Sequence, residues 1–249
     1  MRSSPARSGW QACDRPLAKA PRDTSLIARP IPTTPVIPAR PELAGLDLAD
    51  DPDRWRELGF ELDQDRVQLG GIRLRLGRPG HGITAWTLRH IEAAEIDGLP
   101  TRSASAGEHA DELRPRSGLH PNGALGIDHV VVVTPDFERT ARALEAAGLP
   151  LSRIRQEGAF RQGFRRLGPA ILELVDAGDS GRPRDRAARF WGLVVIVEDL
   201  ESLALRLGER LGSIKPAVQP GRRIATLKAS AGLTAAVAFM DPEPVLGDS

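Results

Sequence analysis

Two stretches of the chain change hydrophobic period in the same way. In "DHVVVVTPDFERTARALEAAG" (128–148) an apolar run suited to a strand gives way, after Pro135, to Phe137, Ala141 and Leu144 on one helical face, with Gly148 just past the end. In "WGLVVIVEDLESLALRLGERLG" (191–212) a second apolar strand is followed by Leu200, Leu203, Ala204, Leu207 and Leu211 at helical spacing, and Gly212 stands as the terminator. Superposing the two puts His129 on Gly192 and Asp136 on Asp199, a repeat of 63 residues.

Strand candidates follow each helix: "LSRIRQE", "FRQGFRRLG" and "AILELV" after the first, then a short piece near Ile214, "RRIATLKA" and "TAAVAFM" after the second. The pattern predicts α+β architecture built from βαβββ modules at 126–177 and 190–243. Upstream, a short helix near Arg54–Leu58 and the alternating "RVQLGGIRLRLG", with Ile72, Leu74 and Leu76 on one face, predict a degenerate module at 43–92. Residues 93–125 have the composition of a linker, and residues 1–41, rich in Pro, Arg and Ala, that of a disordered leader.

Composition adds mostly exclusions. The 249 residues are 41% apolar, enough for a core, and the 34 basic and 33 acidic residues leave a net charge of +1 with no general pull toward nucleic acid or an anionic membrane. No apolar run approaches the roughly 20 residues of a membrane span. The single cysteine, Cys13, excludes an internal disulfide and a thiolate zinc cage, and makes a reducing cytoplasm the natural compartment. Nucleotide-binding glycine loops, a nucleophile elbow and a Cys/His pair are all absent, so nothing points to covalent catalysis.

Candidate chemistry gathers on two strands. Period-two alternation sets Ile127, His129, Val131 and Val133 on one face, and Ile171, Glu173 and Val175 on one face of the last strand of that module. Glu173 lies between leucines, and an unpaired buried carboxylate costs several kcal/mol, so it needs a cation, a hydrogen-bond donor, water or a proton. His129 is one partner, and a metal joining both is another. Arg161, Arg165, Arg166, Arg222 and Arg223 on strands or their rims, together with Trp191 and Trp86, are candidates for holding an anionic or aromatic ligand; a solvated face for the arginines and a core position for the tryptophans are the competing assignments.

The segments "IDHVVVVTPD" (127–136) and "ILELV" (171–175), with their counterparts "WGLVVIVEDL" and "VAFMDP", resemble the vicinal oxygen chelate superfamily of glyoxalases, bleomycin resistance proteins, extradiol dioxygenases and methylmalonyl-CoA epimerases. The resemblance implies paired βαβββ modules forming an incomplete barrel, the glyoxalase-like fold. It also implies one divalent metal, Zn, Fe, Mn or Ni, held by His129 and Glu173, with Glu173 moving protons in a lyase, isomerase or dioxygenase reaction on a small oxygen-rich or anionic molecule. Gly192 and Ala238 stand where the second module would supply its ligands, which opens the alternative of a metal-free, ligand-sequestering protein of the bleomycin-resistance type. Two pairings satisfy the sequence: modules two and three form the cup together, or module one pairs with module two and module three pairs within a homodimer.

Overall fold

The computed structural model describes residues 39–104, 120–178 and 183–244; most of the leader, the middle of the linker and Cys13 lie outside the described residues. The first part runs β1 (Glu42–Leu48), α1 (Pro52–Glu57), β2 (Arg66–Leu69), β3 (Ile72–Arg75), β4 (Ile83–Arg89), β5 (Glu95–Ile96) and β6 (Leu99–Ser103). These strands form one sheet in the order β2-β3-β1-β4-β6-β5. β1 pairs parallel with β3, β4 pairs parallel with β6, and β1 and β4 run antiparallel at the centre. The region expected to be one worn module therefore contributes to two three-stranded halves joined edge to edge through β1 and β4. The second half reaches into the stretch 93–125 that composition marks as linker, because its strands are too short to carry a period of their own.

The second part runs β7 (Ala124–Thr134), α2 (Phe137–Ala146), β8 (Arg153–Glu157), β9 (Phe160–Leu167), β10 (Ala170–Asp176), β11 (Arg189–Val197), α3 (Leu200–Leu207), β12 (Lys215–Pro216), β13 (Arg223–Thr226) and β14 (Ala236–Met240). Its eight strands order as β12-β13-β14-β11-β7-β10-β9-β8. β7 pairs parallel with β10, β11 pairs parallel with β14, and β7 and β11 meet antiparallel at the centre. Modules two and three thus join edge to edge within one chain, and the edge strands β12 and β8 do not meet, leaving an open cup.

Local chemistry explains the helices. Asp136 caps α2 by accepting from the Arg139 amide at 3.0 Å, and Asp199 caps α3 by accepting from the amides of Glu201 and Ser202. Gly148 follows α2 at φ +82°. α3 ends at Leu207, and its terminator is Gly208 rather than the expected Gly212, because Gly208 takes φ +54° and turns the chain into a short 3-10 segment; Leu211 stays buried beyond it.

One hydrophobic cluster spans both sheets. Trp86, fully buried, donates its indole N–H to Thr101 Oγ1 at 2.7 Å and meets Phe190 edge-on, while Phe60 from the segment after α1 stacks on Phe239 of β14. Among the described residues, no helix is long and apolar enough to cross a membrane.

Candidate functional site

The cup is the face of the eight-stranded sheet where His129, Val131 and Val133 of β7 stand beside Glu173 and Val175 of β10. Strict alternation along β7 fails beside the site. His129 pairs with Val194 and Ile127 with Val195, so Asp128 is the extra residue of a β-bulge. The bulge turns Ile127, expected on the cup face, into the core, and brings Asp128 round to its neighbour's imidazole. A second bulge places Trp191 as the extra residue of β11, at the position related to Asp128 by the 63-residue repeat.

A chain of polar contacts follows. Arg222, 5% exposed, donates from Nη1 to Asp128 Oδ1 at 2.6 Å and from Nε to the Asp241 carbonyl oxygen at 2.8 Å. Asp128 Oδ2 lies 2.8 Å from His129 Nδ1, and His129 Nε2 lies 3.2 Å from Glu173 Oε2. Gln162 of β9 donates to Glu173 Oε1. Burial drives the Asp128 carboxyl upward, but its hydrogen bonds to His129 and Arg222 outweigh that and hold it below the ordinary range. At Glu173 burial wins. Its carboxyl is raised, although the His129 imidazole and the Gln162 amide act in the opposite direction.

Two cavities, of about 380 and 720 Å³, share His129, Gln162, Glu173 and Ile224. The smaller is walled by apolar residues, with Trp191 and Phe160 at its edge; Trp191 is 51% exposed, so it is not a core residue. The larger is edged by Arg153, Arg155 and Arg166.

Of the arginines expected to hold a ligand, Arg166 edges the larger cavity, Arg223 pairs with Glu201 and Asp241, and Arg161, Arg165 and Arg222 lie elsewhere. Arg161 points to the helix side of the sheet, where it pairs with Glu138 of α2 at 2.6 Å and lies 4.1 Å over the Phe137 ring. Arg165 shares its parity on β9 and stands opposite the fully buried Leu172. Arg222 is neither at a solvated rim nor in the cup, but buried against Asp128. The cup-facing residues of β9 are Phe160, Gln162, Phe164 and Arg166, the parity opposite to that of Arg161 and Arg165. Sequence reasoning missed Gln162, which alternation would have found, and Asp128, which the bulge places.

The residues were tested against the divalent metal that the resemblance implies. His129 and Glu173 are spaced as two ligands of one ion, and the Asp128 contact to Nδ1 orients the imidazole as carboxylates do at metal-bound histidines. The remaining positions do not follow. Ala238 is level with Glu173 in the pairing of its own module, and a Cβ at Gly192 would sit 2.2 Å from the Ala236 carbonyl oxygen, so position 192 admits no side chain without movement of that backbone. Among the described residues no group of three or more His, Cys, Asp or Glu side chains converges. The donor set is too small for the three or four ligands of a firmly held ion, and it does not fit a resident metal.

No protein-family model matches the chain, and no curated protein matches it in sequence. Solved structures match it in shape. A triple mutant of 4-hydroxymandelate synthase from Streptomyces coelicolor, 14% identical, aligns over 84% of this chain and 94% of its own with a TM-score of 0.52. A xylose isomerase-like TIM barrel/4-hydroxyphenylpyruvate dioxygenase fusion protein, 12% identical, aligns over 85% of this chain and 50% of its own with a TM-score of 0.54. Methylmalonyl-CoA epimerase from Mycobacterium tuberculosis, 18% identical, covers 55% of this chain and 97% of its own at a TM-score of 0.42. With the paired βαβββ modules and their antiparallel central seam, the matches to the synthase and the dioxygenase fusion protein show that this chain has the α+β fold of repeated βαβββ modules, the glyoxalase-like fold.

Proposed function

We propose that the cup binds one small molecule without a resident metal, as a ligand-sequestering protein of the bleomycin-resistance type does. The ligand has an apolar body against Trp191 and the valines, an oxygen-bearing head at His129, Glu173 and Gln162, and an acidic end toward Arg153, Arg155 and Arg166. The observation that carries this reading is that the apolar and the basic cavity share the His129–Glu173 pair as a common wall. Their volumes fall in the range of small-molecule sites, which combine apolar walls with a few placed polar groups.

A second reading, metal-dependent lyase, isomerase or dioxygenase chemistry, draws on the orientation of His129 by Asp128. Elemental analysis of the purified protein and of the His129→Ala and Glu173→Ala variants separates the two. Sequestration without metal predicts substoichiometric metal in all three preparations, and saturable heat signals when aromatic and aliphatic carboxylic acids are titrated in. About one equivalent of a transition metal in the parent protein, lost in both variants, overturns it in favour of the metal-dependent reading.

A further inference from the structure

Arg153 of β8 stands opposite Phe164 of β9, and Arg166 lies two residues further along β9 on the same face. The two arginines are diagonal neighbours across the strand pair, roughly 7–8 Å apart at the backbone, a separation that long side chains bridge. Both edge the cavity of about 720 Å³. Arg155, opposite Gln162, shares that face and that cavity, but it donates from Nη2 to Glu157 Oε2 at 2.9 Å.

No such acid engages the other two. Arg166 donates only to backbone carbonyl oxygens, that of Gly168 at 3.2 Å among them, and among the described residues neither Arg153 nor Arg166 has a carboxylate partner. Glu173 is the acid on the cavity wall, and His129 and Gln162 already engage it. The wall formed by residues 216–220 carries no charged side chain. A lone carboxylate has two oxygens and matches one bidentate guanidinium fork, whereas two forks arriving from different strands match a group with more acceptor oxygens.

On the reading of the cup as a small-molecule site, on which this step rests, we infer that its ligand ends in a dianion held between Arg153 and Arg166. That end is a phosphate monoester or a pair of carboxylates on one carbon. Register sets its distance from the head. His129 is level with Ile171 of β10, and Ile171 with Arg166 of β9, so the imidazole and the guanidinium rise from backbones two strand spacings apart, about 10 Å in all. The ligand is therefore long, with a chain or ring system between its oxygen-bearing head and its dianionic end.

Calorimetric titration of the full chain tests the inference with three probes at equal ionic strength: hydroxyhexyl phosphate, hydroxyhexylmalonate and hydroxyheptanoate, each hydroxylated at the far end of its chain. The pH is held at ~8, above the second ionisation of a phosphate monoester near ~6. Both dianions should bind about fivefold or more tightly than the monocarboxylate, the upper end for one further exposed ion pair. Arg153→Gln and Arg166→Gln should each erase that advantage, since a single remaining fork serves a carboxylate equally well. Glu157→Gln, at an exposed position of β8, frees the Arg155 guanidinium and should tighten dianion binding further, which a merely structural role for these arginines would not produce. Arg206→Ala, on the exposed face of α3, should change nothing. Tighter binding of the phosphate than of the malonate assigns the end to a phosphate monoester, and the reverse order assigns it to a dicarboxylate. Saturable binding of hydroxyheptanoate with no advantage for either dianion, or an advantage that survives both arginine variants, overturns the inference and leaves the cup a site for monocarboxylates. Absence of saturable binding by all three probes overturns the reading of the cup together with it.

Discussion

Asp128 and Arg222 meet at 2.6 Å with side chains 9% and 3% exposed, joining the central strand of one module to the segment that enters β13 of the other. A buried pair of this kind costs most when only one partner is removed, because the remaining charge is stranded. Arg222→Met should destabilise the protein by ~3–5 kcal/mol in urea denaturation. The double variant Asp128→Leu/Arg222→Met should recover much of that loss. A double variant no more stable than Arg222→Met alone would mean that Asp128 and Arg222 do not depend on each other.

The next residues along the polar chain have opposite pH signatures. Asp128 is held below the ordinary carboxylate range in the folded protein, so its contribution is present at neutral pH and disappears as pH falls through the folded-state value. Glu173 is raised above its ordinary value of 4.5, so the folded state binds the proton more tightly than the unfolded one. Its cost appears as pH rises through that ordinary value and is complete above the folded-state value. Glu173→Gln should therefore raise the melting temperature at pH ~7, with the gain vanishing toward pH ~4, below the ordinary value. A variant less stable than the parent at neutral pH would show that the carboxylate is needed in its ionised form.

The contrast between these residues and the rest marks what the sequence could reveal. His129 and Glu173 could be set on one face because each sits in a long apolar strand whose period is local, and the switch to helical spacing located both helices, with Gly148 marking the end of α2 but Gly208, not Gly212, ending α3. Asp128 was not legible, since its orientation depends on a register shift against Val194 and Val195 on a strand of the other module. Arg222 likewise acquires its role only when two modules close on each other. Arg161 and Arg165 are a different case: they were chosen for charge, while their parity on β9 already opposed that of Gln162. β5 and β6 span two and five residues, too few for periodicity to separate them from a polar loop.

Gly192 explains why the cup has one polar wall. Any side chain there meets the Ala236 backbone, with a Cβ 2.2 Å from the carbonyl oxygen, so β11 and β14 must separate to admit it. Gly192→Ala should cost ~1–3 kcal/mol of stability, the usual range for overpacking. The variant that imposes the symmetric donors, Gly192→His/Ala238→Glu, should be less stable still and should not gain stoichiometric zinc or cobalt. A folded double variant holding one equivalent of metal would show that this wall yields, and that side-chain identity alone keeps the site from holding a metal.

Trp191 provides an optical report on the apolar side of the cup. Among the described tryptophans, Trp55 and Trp86 are fully buried in the core, whereas Trp191 is 51% exposed and lines the cavity beside the valines. A carboxylic acid with an aromatic or branched apolar body, bound as proposed, covers that indole and shifts its emission to shorter wavelength, while the core indoles stay unchanged. Trp191→Phe should abolish the spectral change but keep an apolar wall. Binding measured by calorimetry should then weaken only about two- to tenfold, in line with the ~0.5–1.5 kcal/mol of an aromatic contact. Glu173→Ala should act at the other end of the ligand, weakening calorimetric binding while the emission shift survives at saturation. An emission change that persists in Trp191→Phe would place the ligand away from the cup and remove the basis for assigning binding to the His129–Glu173 wall.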